Sequence, residues 1–283
     1  MERFSFERRF RVRTYECDCF GLVGIAGLQH YFEQTASEAS GDVGYELAWY
    51  VERQTAWILR GIQVELLAPI AADERIAVRT WAADFQRTYA QRDYLIALED
   101  GRIAARASAT WVYVDRQRGR PQRIPADMLA AFEILPRLEL AALPGGHPER
   151  GRWAWEHEVR SYEIDTIRHV NNAVYLRWCA EGMAQALAQA GWPLGRWMEE
   201  GLQFAPASHQ TDYLHPATYG DAVQVQSTVV GTEGDRLSWA HAVVRASDGR
   251  PLVRSLTSYQ CLDSARQPRA VPPDLAAAVR PDR

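Results

Sequence analysis

The sequence contains no lysine, and all 32 of its basic residues are arginine. This absence excludes sites that depend on a lysine amine, such as Schiff-base catalysis. It also excludes the phosphate-binding loop of nucleotide hydrolases, whose G-x-x-x-x-G-K pattern does not occur. Any phosphate or carboxylate that the protein binds through a basic side chain must therefore meet a guanidinium group, which favours paired hydrogen bonds.

Cysteine is also scarce. The four thiols have no C-x-x-C spacing, and they belong to Cys17, Cys19, Cys179 and Cys261. The absence of this spacing favours reduced thiols over disulfides or a zinc site. We expect no metal and no bound organic cofactor.

Long apolar runs and a strong charge imbalance are missing as well. There is no signal-peptide-like segment and no run long enough to span a bilayer, and the net charge is only −4. We therefore expect a cytoplasmic protein with neither nucleic acid nor a membrane as a partner. A chain of 283 residues that is 47% hydrophobic has enough material for two domains with cores of their own.

An internal repeat organises the chain. The segment V-R-T-Y-E-C-D ends at Asp18, and V-R-S-Y-E-I-D ends at Asp165, 147 positions later, with five of seven residues identical. Further pairs at this spacing, or at one residue more, are Pro69 with Pro216 and the turn Asp100-Gly101-Arg102 with Asp248-Gly249-Arg250. The chain is thus predicted to be a tandem duplication whose copies share one fold.

Each copy has one helical segment followed by strands. The first copy is predicted to have a strand at 10–18, a helix at 28–40 and strands at 56–67, 75–83, 89–98 and 103–114. The second is predicted to have a strand ending at 165, a helix at 173–189 and strands at 204–214, 222–231, 237–246 and 252–262. One helix with a meander of antiparallel strands is an α+β unit.

Proline and glycine concentrate between the two copies. We predict an N-terminal domain at 1–135, a linker at 136–152 and a C-terminal domain at 153–283, with a peripheral tail after Ser264. The helix at 173–189 is apolar on more than one face, which predicts a buried helix. The economical arrangement is a tandem, or double, hotdog: two antiparallel sheets, each wrapped round a central helix.

A polar cluster directly precedes the second helix. Asp165, His169, Asn171 and Asn172 lie within eight residues. A carboxylate, an imidazole and amides at a helix N-terminus can activate water and stabilise a developing anion, because that end of a helix carries unpaired N–H donors and partial positive charge. This stretch is the candidate active site.

The pattern Asp165-x-x-x-His169-Val170-Asn171-Asn172-x-x-Tyr175 resembles the signature at the helix start of hotdog thioesterases. Together with Arg92-Asp93-Tyr94 and Arg123-Ile124-Pro125, it is similar to the acyl-ACP thioesterases of plants and bacteria. The segment 212–221 instead resembles 4-hydroxybenzoyl-CoA and other acyl-CoA thioesterases. Two departures from the plant pattern are Ile167, which stands where those enzymes have Asn, and the lack of a later Glu-Cys pair.

The resemblance implies a thioester hydrolase whose substrate is carried by acyl carrier protein or by CoA. Asp165 would act as general base or nucleophile, His169 would orient or polarise, and Asn171 would join them in the catalytic set. Substrate contacts would come from Asn172, Tyr175 and Glu181. The structural alternatives are a helix cap at Asp165 or Asn171 and a core histidine at His169.

A second site in the first copy would use Asp18 and Gly21. However, Leu22 and Gly24 stand opposite His169 and Asn171, so the first copy lacks the polar set. We therefore favour one catalytic site in the second copy, with the first copy shaping the acyl tunnel. A homodimer of tandem units is a further expectation.

Two alternatives of other classes stay open at this point. A hotdog hydratase or dehydratase would act on acyl thioesters without releasing thiol, and a non-catalytic module would only bind them. The densest basic run could meet an acidic carrier or CoA phosphates, or could be a solvated hairpin; it consists of Arg116, Arg118, Arg120 and Arg123.

Overall fold

The computed structural model describes residues 5–141, 143 and 151–280. The chain divides into unit 1, Met1–Ala141, and unit 2, Ala142–Arg283. Part of the predicted linker, at 142 and 144–150, lies outside the described residues. Its first part packs on unit 1, where Trp81 Nε1 donates to the carbonyl oxygen of Pro136 at 3.0 Å.

Unit 1 contains a long helix and an antiparallel sheet with strand order β1-β3-β4-β5-β2, and a short β6 pairs with β5. Its elements are β1 (Phe6–Arg11), α1 (Ile25–Asp42), α2 (Leu47–Glu52), β2 (Thr55–Leu66), β3 (Arg75–Phe85), β4 (Tyr89–Leu98), β5 (Ile103–Asp115), β6 (Arg120–Pro121) and α3 (Ala126–Ala131). Helix α1 packs on β1 and β3, and it buries Leu28, Phe32 and Thr35 as its spacing predicts.

Unit 2 repeats this order. Its strands pair antiparallel in the order β7-β9-β10-β11-β8. Its elements are β7 (Trp153–Glu158), α4 (Asn172–Gln189), α5 (Leu194–Glu200), β8 (Gln203–Tyr213), β9 (Ala222–Glu233), β10 (Arg236–Arg245), β11 (Pro251–Leu262) and α6 (Pro273–Ala278). Helices α1 and α4 are both 18 residues long, and α4 begins 147 positions after α1, which confirms the predicted duplication.

The strand meanders match the predicted ones to within a few residues. The turn between β4 and β5 has Gly101 at φ 84°, and the repeated turn between β10 and β11 has Gly249 at φ 67°. Glycine adopts this left-handed conformation without a Cβ clash, so the repeated Asp-Gly pair fixes both hairpins. In the first turn the carboxylate of Asp100 also accepts the Arg102 N–H at 3.0 Å.

Two predictions about the first strands were wrong. Strand β1 ends at Arg11 and β7 at Glu158, and each is followed by a short 3-10 turn, Thr14–Glu16 and Ser161–Glu163. A glutamate closes each turn by accepting the N–H three residues earlier, at 2.8 Å for Glu16 and 2.7 Å for Glu163. Local side-chain bonding thus replaces the ladder that the alternating pattern predicted.

Helix α4 is less completely buried than its apolar composition predicts. It packs on β7, β9 and β10, and at Gly182 a Cβ would lie only 2.8 Å from Ser227 Oγ, so helix and sheet approach closely there. Arg177, Glu181 and Gln185 form an exposed stripe. The helix is therefore amphipathic, with one wide buried face.

The tail after Ser264 is not peripheral, contrary to expectation. It contains α6, whose Leu275 is fully buried, as is Val279 just beyond the helix. Asp274 accepts a hydrogen bond from Arg196 on α5 at 2.7 Å. The proline at the start of the helix, Pro273, was the available signal, because proline is favoured in a first helical turn.

Candidate active site

Asp165 lies in a tight loop between the 3-10 turn and α4. Its Oδ1 accepts the N–H of Ile167 at 2.9 Å and the N–H of His169 at 3.4 Å, while its own N–H donates to the His169 carbonyl oxygen at 2.8 Å. Asp165 and His169 are both half-buried. The loop therefore fixes a carboxylate and an imidazole-bearing residue against each other through the main chain.

Arg168, between these two residues, has φ 68°. A residue with a Cβ is disfavoured in this left-handed region by roughly 1 kcal/mol. Strain of this kind persists where the surroundings impose a conformation, and it concentrates at functional sites. The hydrogen bonds on either side of Arg168 impose that conformation here.

Unit 1 has the same loop with different side chains. Asp18 Oδ1 accepts the N–H of Phe20 at 2.9 Å and of Leu22 at 3.0 Å, and Gly21 has φ 75°. Leu22, at the position of His169, is 2% exposed, whereas Asp18 itself is exposed. Asp18 and Gly21 thus share the fold of the candidate site but not its chemistry.

Asn171 is the N-cap of α4. Its Oδ1 accepts the Ala173 N–H at 3.0 Å, and its own N–H donates to the Glu163 carbonyl oxygen at 2.9 Å. These contacts determine where the helix starts. They also occupy the N–H groups of Ala173 and Asn171, which belong to the helix start that the sequence suggested as the site of a developing anion. Asn172 is the first helical residue, half-buried beside the cap.

Tyr175 anchors a second loop to this site. Its hydroxyl accepts the Ala217 N–H at 2.7 Å, and the Val170 N–H donates to the Ala217 carbonyl oxygen at 3.0 Å. The Tyr213 hydroxyl donates to the carbonyl oxygen of Asn172 at 3.2 Å. Burial raises the pKa of Tyr175, so its hydroxyl is neutral. Tyr175 therefore connects the start of α4 to the loop of Ala217 without adding a charge.

Glu181 is not brought to the site. It is exposed on α4 and accepts a hydrogen bond from Gln185 at 2.6 Å. It lies nine residues beyond Asn172, which is roughly 13 Å along a helix axis. The predicted burial of the helix at 173–189 does not extend to Glu181, because the helix keeps one polar face.

Glu163 is a buried acid that sequence reasoning left without a role. Its carboxylate accepts hydrogen bonds from the Arg160 N–H at 2.7 Å, Trp178 Nε1 at 2.9 Å and His157 Nε2 at 2.9 Å. Burial alone would raise its pKa, but these three donors outweigh burial and lower it. Because its carbonyl oxygen also accepts the Asn171 N–H, Glu163 stabilises the start of α4. Its recurrence as Glu16 in the repeat was the available signal.

A polar row crosses the interior of unit 2. Ser227, His241, Ser255 and Thr211 are direct cross-strand neighbours on β9, β10, β11 and β8, and all are at most 2% exposed. Next to this row, His209 bonds Thr257 Oγ1 at 2.8 Å and Thr211 Oγ1 at 2.7 Å. Burial, reinforced by His241, lowers the pKa of His209 to about 3, so the ring is neutral at pH 7.

Within the part of the chain that the structure describes, no three His, Cys, Asp or Glu side chains cluster as a metal site would require. The four cysteines form no disulfide in the structure, and Cys179 and Cys261 are buried. Over the same residues, no helix combines the length and apolarity needed to cross a membrane.

The basic run forms the β5–β6 hairpin. Asp115 Oδ1 accepts the N–H groups of Gln117 at 2.8 Å and Arg118 at 2.9 Å, which turns the chain. Arg118, Arg120 and Arg123 are exposed. The guanidinium groups therefore reach solvent, as both interpretations of the run require.

Two family models cover most of the chain. Residues 3–132 match the acyl-ACP thioesterase N-terminal domain, and residues 159–279 match the thioesterase-like superfamily. Among curated relatives, the oleoyl-acyl carrier protein thioesterase 2 of Arabidopsis thaliana chloroplasts is 21% identical over 91% of this chain and 77% of its own length.

Solved structures show the same fold. The 12:0-ACP thioesterase of Umbellularia californica superposes with a TM-score of 0.74 at 18% identity, covering 90% of this chain and 94% of that one. An acyl-ACP thioesterase of Bacteroides thetaiotaomicron gives 0.72 at 16% identity over 90% and 97%. The tandem hotdog architecture is therefore confirmed. The chain belongs to the thioesterases, with an acyl-ACP thioesterase domain in its first half and a thioesterase-like domain in its second.

Proposed function

We propose that this enzyme hydrolyses the thioester of a fatty acyl-ACP and releases a free fatty acid and holo-ACP. The observation that supports it best is the loop that holds the Asp165 carboxylate beside His169 at the start of α4. Both halves of the chain match thioesterase domains, and the first half matches the acyl-ACP class by name.

Asp165 would start the attack on the thioester carbonyl carbon by one of two routes. As general base it takes a proton from water, the hydroxide adds to the thioester carbonyl carbon, and the proton is returned to the sulfur as the C–S bond breaks. As nucleophile its carboxylate oxygen adds to the same carbon, expels the thiolate and forms an anhydride that water then hydrolyses. Both routes need the carboxylate ionised and held in place.

His169 and the helix start would stabilise the charge that develops on the carbonyl oxygen. The imidazole is on the same loop as Asp165, and the N-terminus of α4 directs its dipole at this region. Asn171 would act through position, since its side chain and N–H are used to cap the helix. Tyr175 and Asn172 would form the wall of the site, and Glu181 stays outside it.

Unit 1 would contribute acyl binding rather than chemistry. Its equivalent loop has Leu22 where unit 2 has His169, and the side chain is buried. Asp18 thus has a leucine where Asp165 has His169, although its main-chain contacts are the same. This supports a single catalytic site per chain, with Asp165 at its centre.

An acyl-CoA thioester is the second candidate substrate. The observation that favours it is that residues 159–279, which hold Asp165 and His169, match the broader thioesterase-like superfamily. The exposed hairpin arginines, Arg118, Arg120 and Arg123, fit the phosphates of CoA and an acidic carrier equally well. A cytoplasmic location and a homodimer remain parts of the proposal.

The test is a thiol-release assay on acyl-ACP and acyl-CoA series, with wild type, Asp165→Asn and Asp18→Asn. Asp18→Asn is a matched control, because both aspartates accept the same pair of loop N–H groups. We expect Asp165→Asn to lower kcat by about 100-fold or more and Asp18→Asn to leave it within about threefold.

Equal rates for wild type and Asp165→Asn would remove the mechanism, and a loss in Asp18→Asn alone would move the site to unit 1. Background thiol release with every thioester would favour a binding module. Conversion of an enoyl thioester without thiol release would favour the hydratase alternative. A higher kcat/KM for acyl-CoA than for acyl-ACP of the same chain length would select the second substrate.

A further inference from the structure

Arg168 occupies a position of the candidate loop that favours glycine. Its N–H donates to the Asp165 carbonyl oxygen at 3.0 Å, and its φ is 68°. In unit 1 the N–H of Gly21 makes the same hydrogen bond to Asp18 at 3.0 Å, with φ 75°. The turn forms with either residue, and glycine adopts it without a Cβ clash. The main chain therefore gives no reason for an arginine, and the side chain is the part that needs an explanation.

The guanidinium of Arg168 is available to a ligand. The residue is exposed, and none of the described residues gives its side chain a hydrogen bond or an ion pair. By contrast, Arg245 Nε lies 3.3 Å from the Asp221 carboxylate. Arginine is always protonated in proteins. Arg168 is thus a permanent positive charge, three residues after Asp165 and next to His169.

A second exposed side chain belongs to the segment beside this turn. In unit 1 the Ala72 N–H donates to the Gly21 carbonyl oxygen at 3.0 Å, so these two positions are in contact. The residue 147 positions after Ala72 is Tyr219, which is 70% exposed. The Val170 N–H donates to the Ala217 carbonyl oxygen at 3.0 Å, which joins the same two segments in unit 2. Neighbouring positions that are glycine and alanine in the first copy are therefore arginine and tyrosine in the second.

An arginine and a tyrosine exposed beside a carboxylate and an imidazole suit a ligand that is anionic and partly apolar. A guanidinium pairs with a phosphate through two parallel hydrogen bonds. A tyrosine ring supplies apolar contact area, and arginine and tyrosine are enriched among the residues that dominate binding. The arm that carries an acyl thioester has both properties, because it is a chain of amide and hydrocarbon groups that ends in a phosphate. Acyl-CoA and acyl-ACP share this 4′-phosphopantetheine arm.

We propose that Arg168 pairs with the phosphate of the 4′-phosphopantetheine arm and that Tyr219 packs along the arm. The inference rests on the proposed function, because it identifies which part of the acyl thioester these residues hold. The left-handed backbone of Arg168 is then retained at a functional contact. The first copy has glycine and alanine at the two positions, which fits a single catalytic site in the second copy.

The first test uses two thioesters that differ only in the phosphate, acyl-4′-phosphopantetheine and acyl-pantetheine, with the acyl group that wild type releases fastest. We expect wild type to favour the phosphorylated member by about 10-fold in kcat/KM, mainly through KM. Arg168→Gly should abolish this preference and keep the fold, because glycine suits φ 68°. The wild-type preference should also shrink as the ionic strength rises, because salt screens an exposed ion pair.

Arg266→Gly is the matched control. Arg266 is also exposed and left-handed, with φ 60°, so this change removes the same charge from the same backbone conformation. It follows β11, whose Leu262 pairs with Gln203 at one end of β8, whereas Tyr213 at the other end bonds Asn172. A strand of 11 residues corresponds to roughly 33 Å. Arg266→Gly should therefore keep the wild-type ratio.

The two full carriers separate the phosphate from other contacts. Arg168→Gly should lower kcat/KM for acyl-CoA and for acyl-ACP by similar factors, because both carry this phosphate. A loss confined to one carrier would overturn the assignment, since Arg168 would then contact the nucleotide of CoA or the surface of the carrier protein. Tyr219→Ala should lower kcat/KM for both pantetheine thioesters, and unchanged values would remove Tyr219 from the proposal.

A binding measurement does not depend on turnover. Free 4′-phosphopantetheine should raise the Tm of wild type more than pantetheine does, and Arg168→Gly should remove the difference. Hydrolysis of thioesters with equal Tm shifts, or with equal kcat/KM for the two pantetheine thioesters in wild type, would overturn the inference alone. A difference in Tm without hydrolysis of any thioester would refute the proposed function and leave the phosphate site. These wild-type comparisons decide the matter even if Arg168→Gly does not fold.

Discussion

Acidification should destabilise this protein through His209. The ring is 1% exposed, and each of its nitrogens contacts a threonine hydroxyl, Thr257 Oγ1 at 2.8 Å and Thr211 Oγ1 at 2.7 Å. Its pKa is lowered by burial, and further by His241, from 6.5 to about 3. The folded state therefore resists a proton that the unfolded chain accepts readily.

The sign and size follow from linkage. Because the folded pKa lies below the unfolded one, this contribution is intact above pH 6.5 and declines as the pH falls toward 3. Each pH unit in that window costs about 1.4 kcal/mol for one group. Between pH 7 and pH 5 the free energy of unfolding should thus fall by about 2 kcal/mol from His209 alone.

Urea denaturation at pH 7, 6 and 5, followed by tryptophan fluorescence, measures this loss. His209→Gln should be less stable at pH 7, since it disturbs the threonine contacts, but it should lose about 2 kcal/mol less than wild type on going to pH 5. His215→Gln, at an exposed histidine, is the control and should follow wild type. Parallel pH dependences for wild type and His209→Gln would refute the reasoning.

Three further substitutions test the support of the candidate site. Glu163→Gln should lower the free energy of unfolding by about 2 kcal/mol at pH 7 and by less near pH 4. The pKa of Glu163 is lowered in the folded state, so the stability that its carboxylate contributes is present above the unfolded pKa and is lost as the carboxylate protonates. Equal losses at both pH values in urea denaturation would contradict this. Asn171→Ala should lower the free energy of unfolding by about 1 kcal/mol, and Asn171→Ser by much less, since serine also caps helices. Equal Tm values for the two variants would exclude the capping role. Arg168→Val should lower the free energy of unfolding by about 1–2 kcal/mol, while Arg168→Gly should equal or exceed wild type, because only glycine tolerates φ 68° freely. The reverse order of stability in thermal denaturation would count against backbone strain at Arg168.

Periodicity and the repeat predicted much of the fold. The Asp-Gly turns placed two hairpins, and the apolar segments 28–40 and 173–189 identified α1 and α4 to within three residues at either end. These elements follow local rules that the sequence displays directly. The short helices α2, α3, α5 and α6 were missed, because six or seven residues are too few for a helical period to stand out.

The candidate site was predictable in part. Asp165 and His169 lie four residues apart ahead of the predicted helix, and the structure has both in one hydrogen-bonded loop, while their catalytic roles stay a prediction. The role of Glu163 depends on His157, Trp178 and a turn, none of which spacing reveals. Glu181 was misplaced because composition alone does not show which face of a helix meets solvent. Side-chain burial set by tertiary packing is the part that sequence reasoning could not reach.

The shared backbone of the Asp18 and Asp165 loops implies that the two halves diverged without remodelling the main chain. Gly21 and Arg168 hold the same left-handed turn, so the two loops differ in their side chains and not in their main chain. The loop of Asp18 is therefore a ready scaffold for engineering. At Gly24, where the second copy has Asn171, a new Cβ would meet no atom within 4 Å.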